Sequence, residues 1–236
     1  TGNATAVNSG NANSITATTQ SGIATATNAT GGTVINNVTA ITTLGGNAVA
    51  NNAGTVNGTI SAVTNNGGNA TTNNSGDALS DVTTRTFNGG NATLFNSGNI
   101  GGEVLTRASG GGNATTNNLS SGMIFGNLTT RAGGGGSATT NNFGTVFQEI
   151  TTRASFAGNA TANNYGSAGA LTTFVTGTGS ATTNNYGNTF VIQTTSNEGA
   201  ATSVNRGNVN LVATETQNGG AATMINLGVV NGAIQT

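Results

Sequence analysis

The groups able to transfer protons, attack carbon or hold a metal are few in this chain. Six carboxylates, Asp77, Asp81, Glu103, Glu149, Glu198 and Glu215, face five arginines, with no His, Cys or Lys. Ser-His and Cys-His nucleophile pairs therefore cannot be built, and disulfides and thiolate metal sites are excluded. Asp77 and Asp81 are the only carboxylates close in sequence. Strand alternation predicts both on an outer, wet face, which argues against a glycosidase pair. The Gly133–Gly136 run lacks a following Lys-Thr and a helix, so it makes a poor phosphate loop. Calcium-binding β-roll turns need Asp at each turn, where this chain carries Asn and Gly. No catalytic residue, metal ligand or cofactor site is expected, and the chain reads as a non-enzyme.

What charge there is has a pattern. Arg85, Arg107, Arg131 and Arg153 are separated by 22, 24 and 22 residues. Asp81, Glu103 and Glu149 stand four residues before three of them, and Asn127 stands four before Arg131. Stacking at this period predicts an outer Arg column with a carboxylate column beside it that eases the repulsion. Exposed pairs of this kind contribute about 0–1 kcal/mol each. The Arg column is also a candidate surface for an acidic polysaccharide or another partner.

The elements that position these residues follow from an internal repeat. Gly-Asn-Ala, or a close variant, recurs with its Ala at 4, 24, 48, 70, 92, 114, 138, 160, 181, 201 and 222, a period near 22. Four residues after each anchor stands Asn: Asn8, Asn28, Asn52, Asn74, Asn96, Asn118, Asn142, Asn164, Asn185, Asn205 and Asn226. Thr follows the anchor in every repeat but the third, which has Val49. Gly follows six residues after the anchor in nine repeats, and one or two residues later in the repeats with Thr30 and Ser120. Those are the two repeats of 24 residues, so the extra residues are expected to lengthen a turn and leave the strands undisturbed.

Side chains alternate faces along a strand. The anchor Ala, the residue two later and the Asn four later are predicted to face inward, with Thr outward. In the second arm, after the Gly, Val146, Gln148, Ile150 and Thr152 fall on one face. Phe147, Glu149, Thr151 and Arg153 fall on the other. This alternation blurs around Ala168–Thr176. Each repeat reads as strand, Gly turn, strand, Gly-rich turn, and one such unit buries its apolar residues only by stacking on neighbours. The fold class expected is an all-β parallel β-solenoid of about eleven coils, with roughly 22 residues and two strands per coil, spanning 1–236 as a single domain.

Composition agrees. The chain is 34% hydrophobic and 5% charged, with 39 Gly and no Pro, far from an ordinary globular domain. A net charge of -1 and abundant Val, Ile and Thr separate it from disordered chains of low hydrophobicity. The interior is therefore expected to be narrow and largely polar. In a parallel in-register stack, identical amides lie about 4.8 Å apart and hydrogen-bond from coil to coil. A buried amide without partners costs about 1–3 kcal/mol, so the constant Asn column is expected to be a buried stack. The Asn-x-Thr triplets at Asn3, Asn69, Asn91, Asn113 and Asn159 match glycosylation acceptors and are read as by-products of the repeat. The near-neutral charge gives no electrostatic case for nucleic acid or an anionic membrane. No stretch has the apolar length of a membrane span. The chain opens on Thr1 in place of an initiator Met, consistent with removal of a leader or a larger precursor.

The pattern Ala-x-x-x-Asn-x-Gly, preceded by Gly-rich turns every 22 or so residues, resembles the curlin repeat of curli-type surface fibres. It is also similar to the surface proteins that anchor the holdfast of stalked bacteria. Here Asn replaces the family's usual Gln four residues after the anchor, the order is Gly-Asn-Ala rather than Gly-Asn-x-Ala, and the second arm ends in Thr-Arg. The resemblance implies a functional amyloid at the bacterial cell surface, exported through an outer-membrane pore, self-associating into fibres and supporting adhesion and biofilm. Unpaired strand edges at the two ends of the stack fit end-to-end addition. Two other readings arise from the residues: an ice-binding solenoid, from the outward Thr column, and a rigid spacer of a larger adhesin or phage fibre.

Overall fold

The computed structural model describes residues 2–236; Thr1, where the expected single domain begins, lies outside the described residues. The described residues form strands and turns without helix, and the strands make two parallel sheets that run the length of a β-solenoid. The first sheet holds eleven five-residue strands, from Ala4–Asn8 to Ala222–Asn226. Each anchor Ala pairs with the next anchor Ala and each Asn with the next Asn, without a slip.

The second arm is more divided than two strands per coil implies. In seven coils it breaks into a two-residue strand and a longer one, as in Asp77–Ala78 and Val82–Thr86, and in the last coil into two two-residue strands. The break falls at flexible, polar residues such as Asn57-Gly58 and Gly101-Gly102. In three successive coils the pieces fuse, giving Thr145–Ser155, Ser167–Thr176 and Asn188–Ser196. The bend also corrects one expected face. Val146, Ile150 and Thr152 are buried, but Gln148 sits at the bend and is exposed.

The blurred alternation near Ala168 has a simple cause. Val146 pairs with Ala168, but Glu149 pairs with Ala170, so the later coil is one residue shorter at the bend. The inward set therefore shifts parity, from Ala168 to Leu171, Thr173 and Val175. The longer coils differ elsewhere. In both 24-residue coils the two added residues lie between the Asn and the next strand, so that Gly32 and Gly122 fall back into line with the turn glycines of their neighbours. Neither insertion disturbs the register of the strands.

The core is a thin layer. Anchor alanines from Ala24 to Ala201 and the apolar column Val38, Ile60, Val82, Val104, Leu128, Ile150, Leu171, Ile192 and Val212 are buried. Between them runs a column of buried Thr whose hydroxyls link across the two sheets. Thr116 donates to Thr106, Thr130 to Thr116, Thr140 to Thr130 and Thr152 to Thr140, at 2.7–2.8 Å. A second run, Thr214 to Ser203 to Thr194 to Thr183 to Thr173, repeats this at 2.7 Å. Ala162 separates the two runs, having no hydroxyl to pass the chain on. A polar interior is thus stable because the hydroxyls satisfy one another.

Coil spacing is enforced at the corners. The Gly two residues before each anchor forms a column from Gly22 to Gly220. A Cβ at any of these positions would lie 1.8–2.1 Å from the carbonyl oxygen of the Gly one coil before. No side chain fits in that gap. In the same turn, two residues before the column glycine, the chain passes through left-handed conformations, held by Asn66, Asn88, Gly110, Gly134 and Asn218. Phe156 occupies the same conformation, with φ 63° and its ring exposed. For a bulky residue that conformation is strained.

Two stability outcomes follow. Gly112→Ala, which puts Cβ 2.0 Å from the Gly90 oxygen, is expected to destabilise by about 1–3 kcal/mol. Gly133→Ala, whose nearest contact is 3.6 Å, should stay within about 0.5 kcal/mol. Phe156→Asn should raise the thermal midpoint, gaining about 1 kcal/mol from relief of backbone strain. Thermal unfolding followed by circular dichroism checks all three, and equal effects of the two glycine substitutions would refute the corner account.

Candidate functional site

The Asn column is a continuous amide ladder. The Nδ2 of each Asn donates to the Oδ1 of the next, from Asn8 to Asn226, in ten links of 2.8–3.0 Å. From Asn28 to Asn205 these side chains are buried. The second Nδ2 hydrogen is also used. It reaches the turn Gly carbonyl of the same coil, as from Asn96 to Gly98 at 3.0 Å and from Asn118 to Gly122 at 3.1 Å. The ladder thus ties the strand to its own turn while joining it to the next coil. Every axial link points the same way, donor toward the C-terminal neighbour.

A second amide ladder was not distinguished by the sequence reading. The residue before the inner Asn is itself Asn in six coils, and these side chains lie half-exposed on the outer face. Asn73 donates to Asn51, Asn141 to Asn117, Asn163 to Asn141 and Asn184 to Asn163, at 2.8–2.9 Å. These links run toward the N-terminal neighbour, opposite to the inner ladder. The repeated Asn-Asn dipeptide was the available signal. The Asn of Gly-Asn-Ala has a third role. Its Oδ1 accepts the backbone N–H one coil on, as Asn69 does from Asn91 and Asn91 does from Asn113.

The arginines also stack as the spacing implies. Arg85 pairs with Arg107, Arg107 with Arg131, and Arg131 with Arg153, all on the outer side of the second sheet. Val63 precedes the column and Phe174 ends it, with the Arg153 guanidinium 5.2 Å from the Phe174 ring centre. The neighbouring carboxylate column does not relieve the arginines as expected. Four residues along a strand is about 13 Å, and Asp81 and Glu103 are engaged within their own column. Asp81 accepts the Glu103 N–H at 2.8 Å, and Asn127 Nδ2 reaches Glu103 at 3.5 Å. Among the described residues no ion pair joins the two columns, and the Nε atoms of Arg85 and Arg153 are buried without a partner. Burial, then the adjacent Arg153 and Arg107, pull the Arg131 guanidinium below its ordinary value.

Asp77 and Asp81 are both exposed, and Asp77 accepts a hydrogen bond from Asn99 at 2.8 Å. The outward Thr column is in register and half-exposed through the middle coils. A further column also escaped the sequence reading. Phe143, Tyr165 and Tyr186 each directly follow a ladder Asn and stack with ring centres 4.7 Å apart, and Arg206 continues the column over Tyr186.

Searches for likeness are empty at every level: no protein-family model, no curated protein and no solved structure matches this chain.

The two ladders can be separated by substitution. Asn118→Ala leaves one Nδ2 hydrogen of Asn96 and the Oδ1 of Asn142 unpaired in a buried setting, for a loss of about 1–3 kcal/mol. Asn117→Ala, at the half-exposed ladder where water replaces the amide, should lose less than about 1 kcal/mol. Chemical denaturation of the two variants checks the order, and an equal loss would mean the inner column carries no special weight.

Proposed function

We propose that the chain is a structural and adhesive element of a bacterial surface fibre, stacking axially with further copies of itself and acting without catalysis. The observation that carries this reading is the direction of the inner amide ladder. Every axial link carries its donor toward the C-terminal neighbour, so each coil presents amide donors on one axial face and amide acceptors on the other. A second copy stacked along the axis continues the ladder in the same sense. The sheets are parallel and in register, and the edges of such sheets favour addition of another chain. Assembly is therefore head to tail, with one polarity along the fibre.

Chemistry of the surface supports the same role. The outer face of the first sheet is largely Thr and Asn columns whose amides bind each other, a heavily hydrogen-bonded surface suited to a durable extracellular filament. The likeness of the repeat to curlin-type fibre subunits points the same way. Ice binding is a second reading, favoured by the in-register Thr column. Phe95 and Val204, however, interrupt the column two positions along, and thermal hysteresis of the purified protein would be its signature.

Electron microscopy of the purified polypeptide should show thin filaments, with an axial diffraction spacing of about 4.8 Å. Met224→Lys places an inward-pointing charge on the last coil, a known means of blocking strand addition. It is expected to leave the secondary structure intact and abolish filaments. Monodisperse particles at high concentration, or filaments formed equally well by Met224→Lys, would overturn the proposal.

A further inference from the structure

The arginine column is the one feature of the surface that the stacking rules leave electrostatically unfavourable. Four guanidiniums are held in adjacent coils about 4.8 Å apart, with no carboxylate in reach among the described residues. A solenoid needs no such column. The same position is Thr18, Ile41 and Val63 in earlier coils and Phe174 and Thr195 in later ones, in unbroken register. Arginine is thus confined to four consecutive coils, and the fold tolerates neutral residues on both sides of them.

Beside the arginines the surface is hollow. A cleft of about 100 Å³ is lined by Arg107, Arg131, Arg153, Ser109, Gly133 and Ser155. That is room for a carboxylate and several waters. Gly133 contributes to the opening, since a Cβ there would approach nothing closer than the Ser155 hydroxyl at 3.6 Å. The unpartnered Nε atoms of Arg85 and Arg153 are donors left without acceptors at the same column. The chain at Phe156, directly after Ser155, is held in its strained left-handed conformation with the ring in solvent.

We infer that Arg85, Arg107, Arg131 and Arg153 form a track for a linear acidic polysaccharide, whose carboxylates follow the axis and are taken by the guanidinium forks. Arginine presents a planar fork that takes a carboxylate through two parallel hydrogen bonds. A polyuronate carries one carboxylate per sugar ring, so a chain laid along the column carries repeated carboxylates past guanidiniums spaced at the ~4.8 Å coil repeat. Periodicity in the protein thus meets periodicity in the ligand, and the hydroxyls of Ser109 and Ser155 meet sugar hydroxyls at the edge. Nucleic acid fits less well, because the overall charge of -1 supplies no wider basic field and a nucleic-acid interface ordinarily neutralises more phosphates than four arginines can. The bound anion relieves the repulsion that the stack imposes. This inference does not depend on fibre assembly.

Titration of fluorescent oligogalacturonate with the purified protein tests it. Binding is expected at low salt and should weaken steeply as sodium chloride rises. Arg107→Gln with Arg131→Gln should reduce affinity at least tenfold. Arg131→Lys, which keeps the charge and loses the fork, should reduce it severalfold, and Arg206→Gln should leave it unchanged. The double variant should melt at the same temperature as the parent or higher, because repulsion is removed; a purely structural role for the column predicts a lower one. Absence of binding, affinity undiminished in the double variant, or equal affinity for a neutral dextran or an oligonucleotide of matched length would overturn the inference.

Discussion

Each coil lies one backbone spacing above the last, and whatever occupies the interior must repeat at that spacing. This one constraint selects the residues. Where two corners approach, the carbonyl of one Gly stands where the next would carry a Cβ, so the column from Gly22 to Gly220 admits no other residue without a shift. Where polar groups are enclosed, each must offer a donor to one neighbour and an acceptor to the other. Asn does this, and its second hydrogen still reaches the turn carbonyl. The thin core thus holds together with little of the apolar volume that larger domains rely on.

The same constraint explains how the repeat absorbs change. Residues are added just after the ladder Asn in two coils and removed at the bend of the second arm in others. Both places lie between columns, so the strands on either side stay in register. The price of the arrangement appears on the surface. Columns that stack Asn, Thr or aromatic rings gain by proximity, whereas a column of arginines does not. Four guanidiniums in succession, with Asp81 and Glu103 occupied elsewhere, are therefore informative in a way that the same four residues scattered on a globular protein would not be.

Amide ladders also give the molecule a direction. The inner links run toward the C-terminus and the outer ones toward the N-terminus, so the two dipole rows oppose each other while each end of the stack keeps a distinct donor or acceptor character.

Much of this was legible in the residues alone. The period, the inward Ala and Asn, the outward Thr and the Arg column are consequences of alternation and of spacing, which a strand converts directly into position. Their register needs no tertiary information, because each coil is templated by the one before. Other features depended on how the two arms face each other. Thr116 meets Thr106 only because opposite sheets bring them together, and Gln148 turns outward only because the second arm bends there. The shift between Val146 and Leu171 escaped reading because a missing residue at a bend leaves no mark of its own in a run of small side chains. Spacing placed the acids and arginines in neighbouring columns. Only the folded chain decided that Asp81 and Glu103 spend their hydrogen bonds along their own column, because a bond is made by the groups that geometry brings within about 3 Å, not by those that merely share a face.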